Sequence, residues 1–202
     1  IADVKEKDTV RRVRVPLPRD WEVSLGQSVM IDGICTTVAA RGKGFFDVEI
    51  MPETLSKTTA GTFAKGMLVN LERSLTPQDA LDGHIVLGHV DATTQLLERK
   101  DAGGSRHLKF ELPALLAQFI APIGSIAVNG VSLTVARVSK TSFEVALIPF
   151  TLAHTNLGSL KEGDEVNLEA DVLARYAVAA LFHGGTVPLN AAKGIRKKAR
   201  RA

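Results

Sequence analysis

Apolar residues in this chain fall in short runs, about four to eight long, separated by turn-forming dipeptides. Residues 28–38 read as two strands around Asp32-Gly33, and residues 126–135 as two more around Asn129-Gly130. Asp-Gly and Asn-Gly favour two-residue hairpins, because both central residues of a type I′ turn need positive φ. Residues 45–51 and 142–148 read as strands, each closed by a proline that cannot donate to a ladder. Residues 68–71 and 165–168 follow Lys-Gly and Glu-Gly-Asp turns as further strands. Turns every 8 to 12 residues or so predict a sandwich or a barrel. Two segments read as helical, 113–120 and 171–182. The second carries an apolar face (Leu173, Tyr176, Ala177, Ala180, Leu181) that either covers a neighbouring subunit or docks on its own barrel.

The strand pattern occurs twice. Shifting the chain by 97 positions lays residues 28–72 on 125–169 without a gap, with 18 identities in 45 positions. Gly33 falls on Gly130, Thr37 on Thr134, Pro52 on Pro149 and Gly61 on Gly158, and the sequence Val69-Asn70-Leu71-Glu72 returns as Val166-Asn167-Leu168-Glu169. Repeats of solenoids run to roughly 20–50 residues, so a period this long marks two copies of a domain.

Composition narrows the function. The only cysteine, Cys35, has no intrachain partner, which excludes a disulfide scaffold and a site built on several thiolates. Residues 193–202 hold six cations and no anion, so the net charge of +3 belongs to the tail and the body stands at −3. With aromatics at 5%, nothing resembles a nucleic-acid stacking platform. No apolar run nears the roughly 18–20 residues of a spanning helix, and the start shows neither an initiator Met nor a signal peptide. A cytoplasmic protein with an incomplete N-terminus is expected. Nucleotide-binding loops, nucleophile elbows and His-Glu-x-x-His pairs are missing, and His84 and His89, five apart, do not share a face. A metal site is not expected.

What remains is a hydroxyl- and thiol-rich set present in both copies: Ser28, Cys35, Thr37 and Thr54, then Ser125, Ser132, Thr134 and Thr151. Residues two apart on a strand share a face. Hydroxyls both donate and accept, which suits a neutral polyhydroxylated ligand. The copies differ where Cys35 meets Ser132 and Ser74 meets Asp171. Two surfaces of like shape and unlike chemistry suit a reaction between two molecules of one substrate.

The segments SVMIDGICTTV, MPETLSKTTAG, VNLERSL and DGHIVLGHVD, with SIAVNGVSLTV, LIPFTLAHTNLG and VNLEAD in the second copy, resemble the riboflavin synthase family over residues 1–182. The resemblance implies an all-β fold of two tandem six-stranded antiparallel Greek-key barrels and a C-terminal helix. The implied divisions are 1–84 and 85–171 for the lumazine-binding barrels, 172–185 for an oligomerisation helix and 186–202 for the basic tail. It implies a cofactor-free transferase: two molecules of 6,7-dimethyl-8-ribityllumazine exchange a four-carbon unit, giving riboflavin and 5-amino-6-ribitylamino-uracil. The implied partners are two further copies in a homotrimer, with binding of a separate lumazine synthase left open. The substrate surfaces would comprise Ser28, Cys35, Thr36, Thr37, Met51, Thr54, Gly88, His89 and Val90 on the first barrel. On the second they would comprise Ser132, Leu133, Thr134, Ile148 and Thr151. Catalytic roles would fall to His89, Cys35, Ser132 and Asp171. His89 reads as a proton relay or a structural histidine, and Cys35 as a polar contact, a nucleophile or a small buried hydrophobe.

Three features depart from the family pattern. The usual Met-Phe-Thr-Gly-like opening does not precede Ile1, Ile123 replaces a basic residue, and Phe150 and His154 replace Glu and Arg. A non-catalytic lumazine- or flavin-binding protein is the competing reading. The second barrel's retained Ser132, Thr134, Thr151 and Asp171 argue against it.

Overall fold

The computed structural model describes residues 1–7 and 10–183; the basic tail and the last positions expected of the C-terminal helix lie outside the described residues. The first copy forms β1 (Asp3–Lys7), β2 (Val10–Pro16), β3 (Ser28–Ile31), β4 (Ile34–Gly42), β5 (Phe45–Ile50) and β6 (Leu71–Arg73), with α1 (Pro52–Lys57) between β5 and β6. The second forms β7 (Ala92–Ala102), β8 (Ser105–Glu111), β9 (Ser125–Val128), β10 (Val131–Val138), β11 (Ser142–Leu147) and β12 (Glu165–Ala170), with α2 (Pro149–His154) placed likewise. The helix α3 (Val172–His183) follows. Among the described residues, no helix is long and apolar enough to cross a membrane.

Both sheets are antiparallel and share one order, β1-β2-β5-β4-β3-β6 and β7-β8-β11-β10-β9-β12. In each, three hairpin-connected strands are followed by one that returns beside the first of them, the Greek-key arrangement. The second sheet is a closed barrel, because β7 extends far enough to pair Ala92–Gln95 with Leu168–Glu165 of β12. The first has no β1–β6 ladder; Ile1 spans that seam instead, its carbonyl accepting from Gly66 N at 2.9 Å and its amino group donating to Met67 O at 2.6 Å. Matching β-bulges lie at Val38/Ala40 and Val135/Arg137, where the coiling strands bend.

The interiors are filled by side chains, as barrels this small require. Val13, Val29, Ile31, Val38, Phe46 and Val48 pack the first, and Leu108, Phe110, Ile126, Val135, Phe143 and Leu168 the second. The filled interiors leave only the outer faces for binding a ligand. Both hairpin turns hold positive φ as expected, Asp32 and Asn129 at 47°, Gly33 at 79° and Gly130 at 78°. The segment 113–120 contains only a 3-10 turn at Ala114–Leu116 in place of a helix. Pro52 and Pro149 do end their strands, but each also starts a helix, where its missing N–H costs nothing.

The barrels meet through a buried polar network with approximate two-fold symmetry. Asp32 Oδ1 accepts from Asn70 N at 2.7 Å, as Asn129 Oδ1 accepts from Asn167 N at 2.8 Å. Asn70 Nδ2 donates to Asn129 O across the boundary at 3.0 Å, and Asn167 Nδ2 donates back to Asp32 O at 2.8 Å. Asn156 N and Thr59 N, 97 positions apart, donate to Asn70 Oδ1 and Asn167 Oδ1, both at 2.8 Å. Satisfied buried networks of this kind fix orientation more than they add stability. The symmetry breaks at Asp32, which also accepts from Asn156 Nδ2 at 2.9 Å. Burial pushes its carboxyl up to about 7, against the opposing pull of its hydrogen bonds.

Candidate functional site

Strand register places the repeated polar residues. On β4, Val38, Thr36 and Ile34 point into the first barrel, while Thr37 and Cys35 are exposed. Cys35 pairs with Met30, and Met30 pairs with Glu72, so these three form one outward row. The second barrel repeats the row as Ser132, Ala127 and Glu169. One step along, Ser28 pairs with Thr37 and Ser125 with Thr134. Thr36 takes no place in either row: its hydroxyl donates to Val29 O at 2.7 Å inside the barrel. Leu133 packs against the second core.

A cleft of about 1130 Å³ opens beside these rows. Ser28, Met30, Cys35 and Glu72 line it from the first barrel, Ser132 from the second, and His84 from the segment that joins them. Burial pushes the Glu72 carboxyl above the usual range. The other anticipated residues lie outside this lining. Thr37 and Thr134 continue the outward faces, Met51 and Ile148 are exposed ahead of α1 and α2, and Thr54 and Thr151 sit half-buried on those helices. Asp171 precedes α3 and accepts from Leu173 N at 2.9 Å, an N-cap that leaves its second oxygen outside this bond.

The connecting segment 83–90 acts as a strap across both rows. Gly83 lies so close to Ser132 that a Cβ there would sit 2.5 Å from the serine Oγ. Gly88 carries φ +78°, and a Cβ there would meet Cys35 at 2.8 Å; its carbonyl accepts from Cys35 N at 2.9 Å. His84 Nδ1 lies 2.7 Å from Ser132 Oγ, while His84 Nε2 is buried with no hydrogen-bond partner. Burial lowers the His84 pKa from its usual value, with Asp171 and then Glu169 pulling the other way. A neutral imidazole against a hydroxyl can take its proton and orient the oxygen for attack or for a hydrogen bond. His89, by contrast, is exposed, and its backbone N–H donates to Glu169 Oε2 at 3.0 Å.

Ser28, Cys35 and Ser132 are thus brought to one cleft, with Gly88 against Cys35. The Ser132 contact belongs to His84, which the sequence raised only as half of a histidine pair whose spacing does not suit a metal. The repeated Gly-His at 83–84 and 88–89 was the available signal. Glu169 was also missed.

The lumazine-binding-domain family model matches residues 1–74 and again 87–171. The chain is 41% identical to the riboflavin synthase of Brucella abortus (strain 2308) over 189 residues, covering 88% of this chain and 94% of that one. It is 41% identical to the riboflavin synthase of Mycobacterium bovis (79% and 82% covered) and 36% identical to that of Photobacterium phosphoreum (77% and 71%). Among solved structures, the fold matches LumP complexed with riboflavin (TM-score 0.77, 23% identity, 84% and 93% covered). It also matches LumP complexed with 6,7-dimethyl-8-(1'-D-ribityl) lumazine (TM-score 0.75, 20% identity, 84% and 92% covered).

Proposed function

The chain belongs to the riboflavin synthases built from two lumazine-binding domains, and from that membership we propose that it converts two molecules of 6,7-dimethyl-8-ribityllumazine into riboflavin and 5-amino-6-ribitylamino-uracil. One molecule gives up a four-carbon unit and the other accepts it, so the protein needs two substrate surfaces of similar shape and different chemistry. The supporting observation is the duplicated register, which sets Ser28 opposite Thr37 on the first barrel and Ser125 opposite Thr134 on the second, with Cys35 in one copy where Ser132 stands in the other.

On this reading the first barrel binds one lumazine beside Ser28, Cys35, Thr37, Met51, Thr54 and the strap residues Gly88, His89 and Val90. The second binds the other beside Ser132, Thr134, Ile148 and Thr151. Exposed hydroxyls hold the ribityl chains, donating and accepting without fixed charge. One lumazine loses a proton from the methyl at ring position seven, and His89 relays it. The other gains a nucleophile, with Ser132 positioned by His84 and Asp171 beside them. Orientation of two stacked rings supplies most of the rate, an effect worth up to about 7–11 kcal/mol in good cases.

The reacting pair lies between barrels of neighbouring subunits in a homotrimer. Thr37, Met51, Thr134 and Ile148 are exposed in the single chain, as are Leu173, Tyr176, Leu181 and Phe182 on α3. Incubation with 6,7-dimethyl-8-ribityllumazine alone, followed by absorbance, should yield one riboflavin for every two lumazines consumed. Tight lumazine binding with no riboflavin formed would overturn the enzymatic reading in favour of a carrier.

A further inference from the structure

We infer that Glu169, on the second barrel, is a positioning residue for the substrate surface of the first. Glu169 is 3% exposed and points both carboxylate oxygens at the strap. Oε1 accepts from Leu87 N at 2.7 Å, and Oε2 accepts from Gly88 N at 2.8 Å and His89 N at 3.0 Å. Three successive N–H groups converge on one anion only when the backbone curls around it, as in the nests that bind free anions. Here the anion belongs to the protein. The curl turns the Gly88 carbonyl onto Cys35 N and presses the Gly88 backbone against the Cys35 side chain. The contact path therefore runs from β12 through residues 87–89 to the outward row of β4.

The duplicated position shows that this is a specialised duty. Glu72 is the counterpart of Glu169 in sequence and in strand register, yet it lines the open cleft. One strap cannot serve both carboxylates. Glutamine in place of Glu169 is nearly isosteric but has a single acceptor oxygen, and its amide group would face an N–H. Aspartate keeps both oxygens on a shorter stem.

The inference rests on the proposed use of Cys35, Gly88 and His89 as lumazine contacts. Its test compares Glu169→Gln, Glu169→Asp and Gly88→Ala in the full chain, measuring amide exchange at 87–89, KM and kcat. Glu169→Gln should speed exchange at those amides and raise KM about tenfold, with kcat within about threefold of the parent. Glu169→Asp should recover part of the loss. Gly88→Ala disturbs the same backbone with the carboxylate intact and should raise KM similarly, and Glu169→Asp, which retains both acceptor oxygens, keeps the test open if Glu169→Gln fails to fold. A folded Glu169→Gln or Gly88→Ala protein with the parent's KM overturns the inference, as does a loss in kcat alone. If the parent itself forms no riboflavin, the proposed reaction falls separately. The dissociation constant for 6,7-dimethyl-8-ribityllumazine then replaces KM, and an unchanged constant in both variants overturns the inference.

Discussion

Gly33 and Gly130 meet backbone to backbone where the two barrels join: a Cβ on Gly33 would lie 2.7 Å from Gly130 N, and one on Gly130 would lie 2.9 Å from Gly33 N. Neither neighbour is a flexible side-chain end that can swing away. Both residues also hold φ near +79°, where any L side chain is strained by about 1–2 kcal/mol. Gly33→Ala or Gly130→Ala should therefore cost about 3 kcal/mol or more in urea unfolding. Alanine at the exposed Gly26 turn, which has the same φ and no atom within 4 Å, should cost only the backbone strain.

Asp32 gives the barrel boundary a pH dependence. Its folded pKa of about 7 stands above the reference value of 3.8, so between these values the native state binds more protons than the unfolded chain. Stability contributed here is present at low pH and falls as pH rises through that window. Asp32→Asn keeps an acceptor for Asn70 N and Asn156 Nδ2 and copies the residue found at 129. The variant should melt higher than the parent at pH 8, by an amount on the order of 2 kcal/mol, and the gain should shrink towards pH 5. Thermal denaturation across pH 5–8 measures both.

The Ser132–His84 pair should act as a unit. His84→Ala and Ser132→Ala are each expected to lower turnover about 100-fold, and the double variant should be little worse than either. Independent, multiplying losses would separate the two residues. Because burial lowers the His84 pKa, the acid limb of the rate profile should lie below the ordinary imidazole value of 6.5. Protonation favours the unfolded chain, so this group's contribution to stability falls as pH drops through 6.5.

Arg175 fixes the attitude of α3. Its guanidinium donates to Asp91 Oδ2 at 2.9 Å and lies 2.8 Å from Oδ1, and Asp91 is mostly buried and also accepts from Ala170 N. Arg175→Met should leave that carboxylate short of a partner and cost about 1–3 kcal/mol. For the proposed homotrimer, it should also weaken self-association in sedimentation, because α3 loses its bearing on the barrel. Tyr176→Glu, on the exposed face, should weaken association with little change in the stability of each chain.

The hairpins at Asp32-Gly33 and Asn129-Gly130 were legible because their chemistry is local, and the register following from them put Cys35 and Thr37 on one face. The helices after Pro52 and Pro149 were not, since a proline that ends a strand and one that begins a helix look alike in sequence. The hydrogen bonds of Glu169 were hidden by distance, its partners lying about 80 residues away. They were hidden further by the repeat, which makes Glu72 and Glu169 look interchangeable. His84 and His89 were visible, but their division of labour depends on how the strap crosses the rows.

Two tandem domains have one connection between them. Even if every barrel residue were duplicated without change, residues 83–90 would have no twin, so the two ligand surfaces would still be unlike. A covalently joined pair thus acquires a left hand and a right hand from chain connectivity alone, before any substitution distinguishes Cys35 from Ser132. In the proposed reaction, this inequality alone makes the two bound molecules non-equivalent.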